Sequence, residues 1–259
     1  MEKKPKVSII TVVYNGIAHL EQTIQSILNQ NYENIEYIII DGGSTDGTVE
    51  LIRQYEDKIA YWVSEADDGI YDAMNKGIAK ATGEIVGLIN ADDWYEPHAV
   101  STVVDTFATT DAEVVHGSLV IVQEDGSTFV KKVAYDLSSL KKGMLLNHPT
   151  VFVKRALYET YGGFNTGYRI VADWEKMMTW WMKGVNFIGI NDTLAYFRMG
   201  GVSSEYLKKS FEEKHSVRQA LGQIGLFDGY YLYDRLKSVF PAQKLLAISL
   251  EKQKKQGRS

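Results

Sequence analysis

The stretch Glu84-Ile85-Val86-Gly87-Leu88-Ile89-Asn90-Ala91-Asp92-Asp93-Trp94-Tyr95-Glu96-Pro97 decides how the chain is read. Its apolar run is rich in β-branched residues and too brief for a typical helix, which predicts a buried strand. The run stops abruptly in Asn-Ala-Asp-Asp, good loop chemistry, and Pro97 suits the first turn of a following helix. Two adjacent carboxylates then stand at the C-terminal end of a central strand, where open α/β sheets bind their ligands. Neighbours in an extended strand point to opposite faces, so Asp92 and Asp93 can address one ligand only if the chain leaves the strand there. The competing account makes one of them the N-cap of the helix at Pro97.

Working outward, the same grammar repeats. Val7–Val13 predicts a first buried strand ending in Tyr14-Asn15-Gly16, and a helix follows over 17–29 with Leu20, Ile24, Ile27 and Leu28 on one face. Ile35–Ile40 predicts a second strand, ending in Asp41-Gly42-Gly43-Ser44-Thr45-Asp46-Gly47-Thr48, before a helix marked by Val49, Leu51, Ile52 and Tyr55. A short third strand over 59–63 leads into Ser64-Glu65-Ala66-Asp67-Asp68-Gly69 and a helix over 70–81. Strand–helix alternation of this kind predicts a parallel sheet with helices on both faces. Function is then expected at the strand C-termini, where Tyr14, Asp41, Asp68, Asp92 and Asp93 make one aromatic and four acids.

Beyond residue 97 the texture changes. A helix over 97–108 is followed by strand-like pieces at 118–122 and 128–133, joined by the hairpin turn Glu124-Asp125-Gly126-Ser127. Asn147-His148-Pro149-Thr150 and Tyr161-Gly162-Gly163-Phe164 come next; Val171-Ala172-Asp173-Trp174-Glu175 opens a helix to about 183. Strands near 186–190 and 194–197 lead to Arg198-Met199-Gly200-Gly201. The division expected is 1–204 as the main domain, in two halves, 1–96 and 97–204, with 205–259 an amphipathic helical extension.

Composition bounds the function. The chain has 259 residues, enough for one sizeable core with an appendage, and no Cys, which rules out disulfides and thiolate metal sites. No signal peptide is evident and no apolar run nears the roughly 20 residues of a membrane span, so a cytoplasmic protein is expected. Net charge is −5, but residues 205–259 carry +5, leaving −10 for residues 1–204. An acidic body with a basic tail argues against nucleic acid and suits a cation-using site. The tail offers a peripheral contact with anionic lipid.

The residue chemistry narrows this further. Asp92 and Asp93 suit a hard divalent cation, Mg2+ or Mn2+, which would neutralise a diphosphate leaving group. The 41–48 turn lacks both the dinucleotide fingerprint and the P-loop lysine. Its leading Asp41 is suited to accept from a base N–H or a ribose hydroxyl, while Asp46 reads equally as a turn and cap residue. Tyr14 could offer a ring to a base. Asp173 or Glu175 could act as general base, against the plain alternative of acids complementing a helix start. His148 and Trp174 are acceptor-side candidates, though a lone His and a helical Trp more often pack. Arg198 could reach phosphate.

Taken together, the chain resembles the family 2 glycosyltransferases of GT-A fold. The matching pieces are Ser8-Ile-Ile-Thr-Val-Val-Tyr-Asn15, Tyr37-Ile-Ile-Ile-Asp-Gly-Gly-Ser-Thr-Asp-Gly-Thr48, Asn90-Ala-Asp-Asp93, and Gly162-Gly-Phe164 with Ala172-Asp173, in family order over about residues 6–204. The resemblance implies an α/β, Rossmann-like GT-A fold with a mostly parallel central sheet and a helical C-terminal tail. It implies an inverting hexosyltransferase using a nucleotide-sugar, UDP being the commonest in the family. Tyr14 would stack on the base, Asp41 bind it, Asp92 meet the ribose or donor sugar, Asp93 hold the metal, and Asp173 serve as base. Two departures stand out: Asn90 and Ala172 occupy places where the family usually has an acid.

Glu65-Ala-Asp-Asp-Gly-Ile-Tyr-Asp-Ala-Met-Asn75 and Tyr196-Phe-Arg-Met-Gly-Gly-Val-Ser203 resemble the branch building bacterial O-antigen, capsule and exopolysaccharide, whose acceptors are usually lipid-linked. Two other readings compete. A nucleotidyltransferase would carry a Gly-rich, basic loop where Tyr14-Asn15-Gly16 stands, and a non-catalytic nucleotide or carbohydrate binder would have no use for Asp92, Asp93 and Asp173 together.

Overall fold

The computed structural model describes residues 4–199 and 207–223. Contacts divide the chain into two compact units, Met1–Gly201 and Val202–Ser259. In the first, β1 (Val7–Val13), β2 (Ile35–Asp41), β3 (Tyr61–Ser64) and β4 (Ile85–Asn90) form a parallel half-sheet in the order β3-β2-β1-β4. The Val/Ile runs of β1, β2 and β4 are buried, with α1 (Leu20–Leu28), α2 (Thr48–Arg53) and α3 (Ile70–Lys80) flanking the sheet. Side chains such as Ile9, Ile39 and Ile89 are shut off from water, each contributing about 1.5–3 kcal/mol of burial.

The sheet continues through β5 (Trp94–Tyr95), β6 (Val114–Val122), β7 (Thr128–Lys131), β8 (Phe152–Lys154) and β9 (Phe187–Arg198). Here the order is β4-β8-β6-β9-β5, with β7 pairing β6. The β6–β9 pair is parallel and the β4–β8, β6–β8, β6–β7 and β5–β9 pairs are antiparallel. Strands expected as two short pieces near 186–190 and 194–197 are one strand, β9. A register shift against His116–Leu119 of β6 explains why its pattern reads as broken. Three elements escaped the sequence because each is too short for a period to show: β5, β8 and α5 (Ala156–Tyr161).

The remaining helices are α4 (Ala99–Thr109), α6 (Ala172–Met182) and α7 (Leu207–Ala220). The hairpin turn before β7 is as expected, with Gly126 at φ 80° and Gly126 N–H donating to Gln123 O at 2.9 Å. α4 starts two residues later than Pro97 suggests, capped at His98, and neither Asp92 nor Asp93 caps it. That removes the plain structural account of the acid pair. Most of the basic tail, and with it the expected membrane contact, lies outside the described residues. Among the described residues no helix is long and apolar enough to cross a membrane.

Candidate functional site

Strand order reverses at β1, whose neighbours are β2 and β4. A crevice at such a switch point is where open α/β sheets bind ligands. The loops that rim it are stitched together by backbone-directed bonds. Asn15, in the left-handed region at φ 50°, receives Ser44 as a partner for its N–H at 2.7 Å, and its Oδ1 accepts from Thr45 N–H at 3.0 Å. Asp46 accepts from Ile17 N–H at 3.1 Å and Thr48 N–H at 3.1 Å, so it is a turn-builder. With the loop so fixed, Tyr14 is left 68% exposed: its ring is presented to solvent instead of packing.

Asp41 is fully buried at the end of β2, and its carboxylate accepts from Gly43 N–H (3.1 Å), Ser44 N–H (2.9 Å), Ser64 Oγ (2.6 Å) and Ser44 Oγ. Three of these bonds fall on Oδ2 and one on Oδ1, so the carboxylate holds the turn and keeps acceptor capacity on Oδ1 alone. Asp68 is exposed, and its backbone N–H donates to Asp72. The carboxylate that meets the Tyr14 side is that of its neighbour, Asp67. A Cβ on Gly42 would lie 2.5 Å from Asp67 Oδ2 and 3.5 Å from the Tyr14 ring, so only glycine leaves this nook open. Asp67 Oδ1 accepts from Gly69 N–H at 2.8 Å, which holds the side chain in place. Two adjacent acids in a loop gave the sequence no means of choosing between them.

At the end of β4 the chain turns, as the acid pair requires, with Asp93 N–H donating to Asn90 O at 3.2 Å. Thr23 of α1 sets its hydroxyl 2.9 Å from Ala91 O and 2.6 Å from Asp93 O, clamping the turn. Asp92 is half-buried and open. Asp93 is fully buried: Oδ1 accepts from Arg198 N–H at 3.1 Å, while Oδ2 has no hydrogen-bond partner. Desolvation and the neighbouring Asp92 charge push the Asp93 carboxyl well above the usual carboxylate range. An orphaned, charge-averse oxygen beside a second carboxylate is what a bound cation would relieve. Among the described residues no cluster of three His, Cys, Asp or Glu could hold a metal. The pair therefore fits a Mg2+- or Mn2+-type site that keeps water and phosphate oxygens as its other ligands.

Arg198 comes to the acid pair at the end of β9. Its guanidinium carbon lies 5.1 Å from the Trp94 ring centre, Nη2 donates to Gln22 Oε1 at 2.9 Å, and Nε is buried without a partner. Trp94 in turn stacks on Tyr196 at 5.0 Å. Part of the guanidinium is thus committed to scaffolding.

On the acceptor side, Asp173 opens α6, half-buried, with Tyr71 Oη of α3 at 3.0 Å from its Oδ1 and 2.8 Å from Ile170 O. Asn75, one turn further along α3, locks onto Phe164, accepting from its N–H at 2.7 Å and donating to its O at 2.9 Å. Tyr71 and Asn75 were missed because helical periodicity assigns such residues to packing alone. His148 is half-buried in a 3-10 turn, its ring 6.1 Å from Phe164. Burial holds its imidazole below the usual histidine range, against the pull of the Asp173 carboxylate. Trp174 does not line this site: it is 1% exposed, and its indole N–H donates to Leu140 O at 2.6 Å. A ring buried on both faces cannot stack on a sugar. Glu175 accepts from Thr179 at 3.0 Å within α6.

A glycosyltransferase of PGL/p-HBAD biosynthesis from Mycobacterium bovis is 28% identical over 232 residues, which are 84% of this chain and 87% of that protein. Among solved structures, S. aureus TarS 1-349 in complex with UDP superposes with a TM-score of 0.69 at 16% identity, covering 87% of this chain and 68% of TarS 1-349. The mannosyltransferase PcManGT from Pyrobaculum calidifontis, in complex with GDP-Man and Mn2+, gives 0.66 at 20% identity, covering 91% and 70%. At these identities the likeness speaks for the fold, which is of the α/β GT-A type. The family model described as Glycosyl transferase family 2 matches residues 8–176, from the first residues of β1 into α6. This chain therefore belongs to glycosyl transferase family 2.

Proposed function

We propose that the chain is an inverting, metal-dependent hexosyltransferase that uses a nucleotide-sugar, UDP-hexose in the first place, and a saccharide acceptor. The reading is supported above all by one observation. Tyr14, Asp92 and Asp93 share the strand-order reversal at β1, while α3, packed on β1, carries the hydroxyl that meets Asp173. Tyr14 would stack on the base, with Asp67 accepting from its edge and Asp41 accepting through Oδ1 while it holds the turn. Asp92 would accept from ribose or donor-sugar hydroxyls, with Asp68 at the rim. Arg198 is the chain's own cation for the diphosphate.

Mn2+ or Mg2+ would be held by Asp93 with Asp92 and, when bound, supplies charge neutralisation for the leaving group. Asp173 takes the proton from the acceptor hydroxyl as that oxygen attacks the anomeric carbon from the face opposite the diphosphate. The bond to the diphosphate breaks, its electron pair leaves with the nucleoside diphosphate, and the configuration inverts. His148, kept neutral by burial, can accept from the acceptor's hydroxyls. The Glu65–Asn75 and Tyr196–Ser203 segments support an acceptor in bacterial surface polysaccharide assembly, O-antigen, capsule or exopolysaccharide. A lipid-linked acceptor would bring the basic 205–259 segment to the cytoplasmic membrane face.

The test is a thermal-shift panel of nucleotide-sugars with and without Mn2+, run alongside release of free nucleotide. At a hundredfold excess over Kd the ligand stabilises by about 2.7 kcal/mol, a rise of roughly 5–10 °C for a domain of this size. Binding without any nucleotide release, with acceptor saccharides present, would make the protein a binder. No shift with any nucleotide-sugar in Mn2+ or Mg2+ removes the donor assignment.

A further inference from the structure

The far end of α6 carries a cavity that the chemistry above does not use. It is a shallow, open depression of about 340 Å3, lined by Tyr135, Asp136, Leu137 and Ser138 from the segment after β7, and by Trp181, Val185 and Phe187 around the C-terminus of α6. Two residues past the end of α6 the chain turns at Gly184, φ 78°, and Val185 N–H donates back to Trp180 O at 3.1 Å. Val185 and Phe187 line the same depression as Trp181. Tyr135 lies over Gly189 of β9, whose missing Cβ would stand 3.3 Å from the ring, and the tyrosine is nonetheless 68% exposed. Asp136 is fixed by Ser138, which donates from N–H at 2.8 Å and from Oγ at 3.0 Å. Those bonds hold its carboxyl below the usual range, so it stands ionised as an acceptor.

From this chemistry we infer that the cavity is a binding site for a saccharide, occupied by a sugar unit of the acceptor distant from the reacting hydroxyl. Three aromatic side chains offer flat apolar faces that match the C–H face of a pyranose, and the carboxylate and hydroxyl at the edge match its rim of O–H donors. None of the lining residues is cationic, which disfavours a phosphate or nucleotide. The volume falls at the low end of small-ligand pockets, roughly 300–1,000 Å3.

Asp173 and Trp181 are eight residues apart on one helix, about 12 Å along its axis at 1.5 Å per residue. The segment that carries Tyr135 and Asp136 runs on to Leu140, which accepts from Trp174 in the first turn of α6. One helix thus links the base to the cavity as a fixed ruler. The inference rests on the proposed role of Asp173 and deepens it: the acceptor is an oligosaccharide, recognised at two points.

An array of mono-, di- and trisaccharides probed with the wild type and with Tyr135→Ala tests this, because an exposed tyrosine can be removed without unfolding the domain. Binding of di- or trisaccharides at least tenfold better than their monosaccharides is expected, with a tenfold or greater loss in Tyr135→Ala and unchanged thermal melting. Trp181→Phe, which keeps a ring in place, should lose less than Tyr135→Ala. Binding that is the same in Tyr135→Ala and wild type, or no binding above background, overturns the site. Nucleotide release from the donor is measured on the same preparations. Loss of array binding together with absent donor turnover supports the saccharide site and counts instead against the transferase reading.

Discussion

The two halves of the sheet deliver their chemistry by different means. In β3-β2-β1-β4 every neighbour is parallel, so each strand ends on the same edge and Tyr14, Asp67 and the acid pair gather there as a consequence of topology. In the half that contains β6, β8 and β9 the directions mix, and Asp173 comes from the first turn of a helix. Its carboxylate meets a side chain that reaches across from α3, Tyr71. The residues at the parallel edge are thus placed by the backbone, and Asp173 is met by a side chain far away in sequence.

The sharpest way to break that comparison is to remove one acid from each half. Asp173→Asn should lower kcat about 10²–10⁴-fold, the usual range for a general base, while the donor-induced thermal shift survives. Asp93→Ala should remove turnover and the Mn2+-dependent part of the shift together. Turnover by Asp173→Asn within tenfold of the wild type would deprive the acceptor half of its base, and the division of labour with it.

A smaller effect separates the halves by stability. His116 of β6 is 1% exposed with Nδ1 unpartnered, and burial pulls its pKa down to about 4. The unfolded chain, with an ordinary value near 6.5, takes up a proton that the folded chain refuses. The contribution to stability is therefore complete above about 6.5 and is lost as pH falls towards 4. The loss amounts to roughly 3 kcal/mol over that window. Urea melts at pH 7, 5 and 4 measure it, and His116→Leu should flatten the slope whatever it does to absolute stability. An unchanged slope in that variant would place the acid sensitivity elsewhere, in the carboxylates of the donor half.

The same contrast explains what was legible in the sequence. β1 is found where its Val/Ile run stands, and β4 is displaced from its run by a single residue, because buried parallel strands are written as continuous apolar segments. The turn at Asn90-Ala-Asp-Asp was equally plain. Burial of individual side chains was not. Asp41 reads as a ligand residue and also holds its own turn, and Trp174 reads as an acceptor-side candidate and is buried with its indole N–H on Leu140 O. The two share one cause: a polar or aromatic group near a strand end or helix start looks the same whether it faces the crevice or the core. Asp67 and Tyr71 were hidden for a related reason, since their value depends on Gly42 and Asp173, respectively 25 and 102 positions away.

The mildest substitution tests the link between the halves directly. Tyr71→Phe keeps the ring, which lies 5.5 Å from Phe164 and so still packs, but deletes the hydroxyl that reaches Asp173 and Ile170 O. A hydrogen bond to a charged group contributes about 1.5–3 kcal/mol net, which corresponds to roughly a ten- to hundredfold change in rate when it is spent on orienting a base. The fall should appear in kcat and leave the KM for the nucleotide-sugar alone if Tyr71 works through its hydrogen bond to Asp173. A rise in donor KM instead would show that α3 transmits its displacement into the crevice, so that the two halves move as one. Unchanged kcat would mean that the carboxylate of Asp173 is oriented by the start of its own helix, without help from α3.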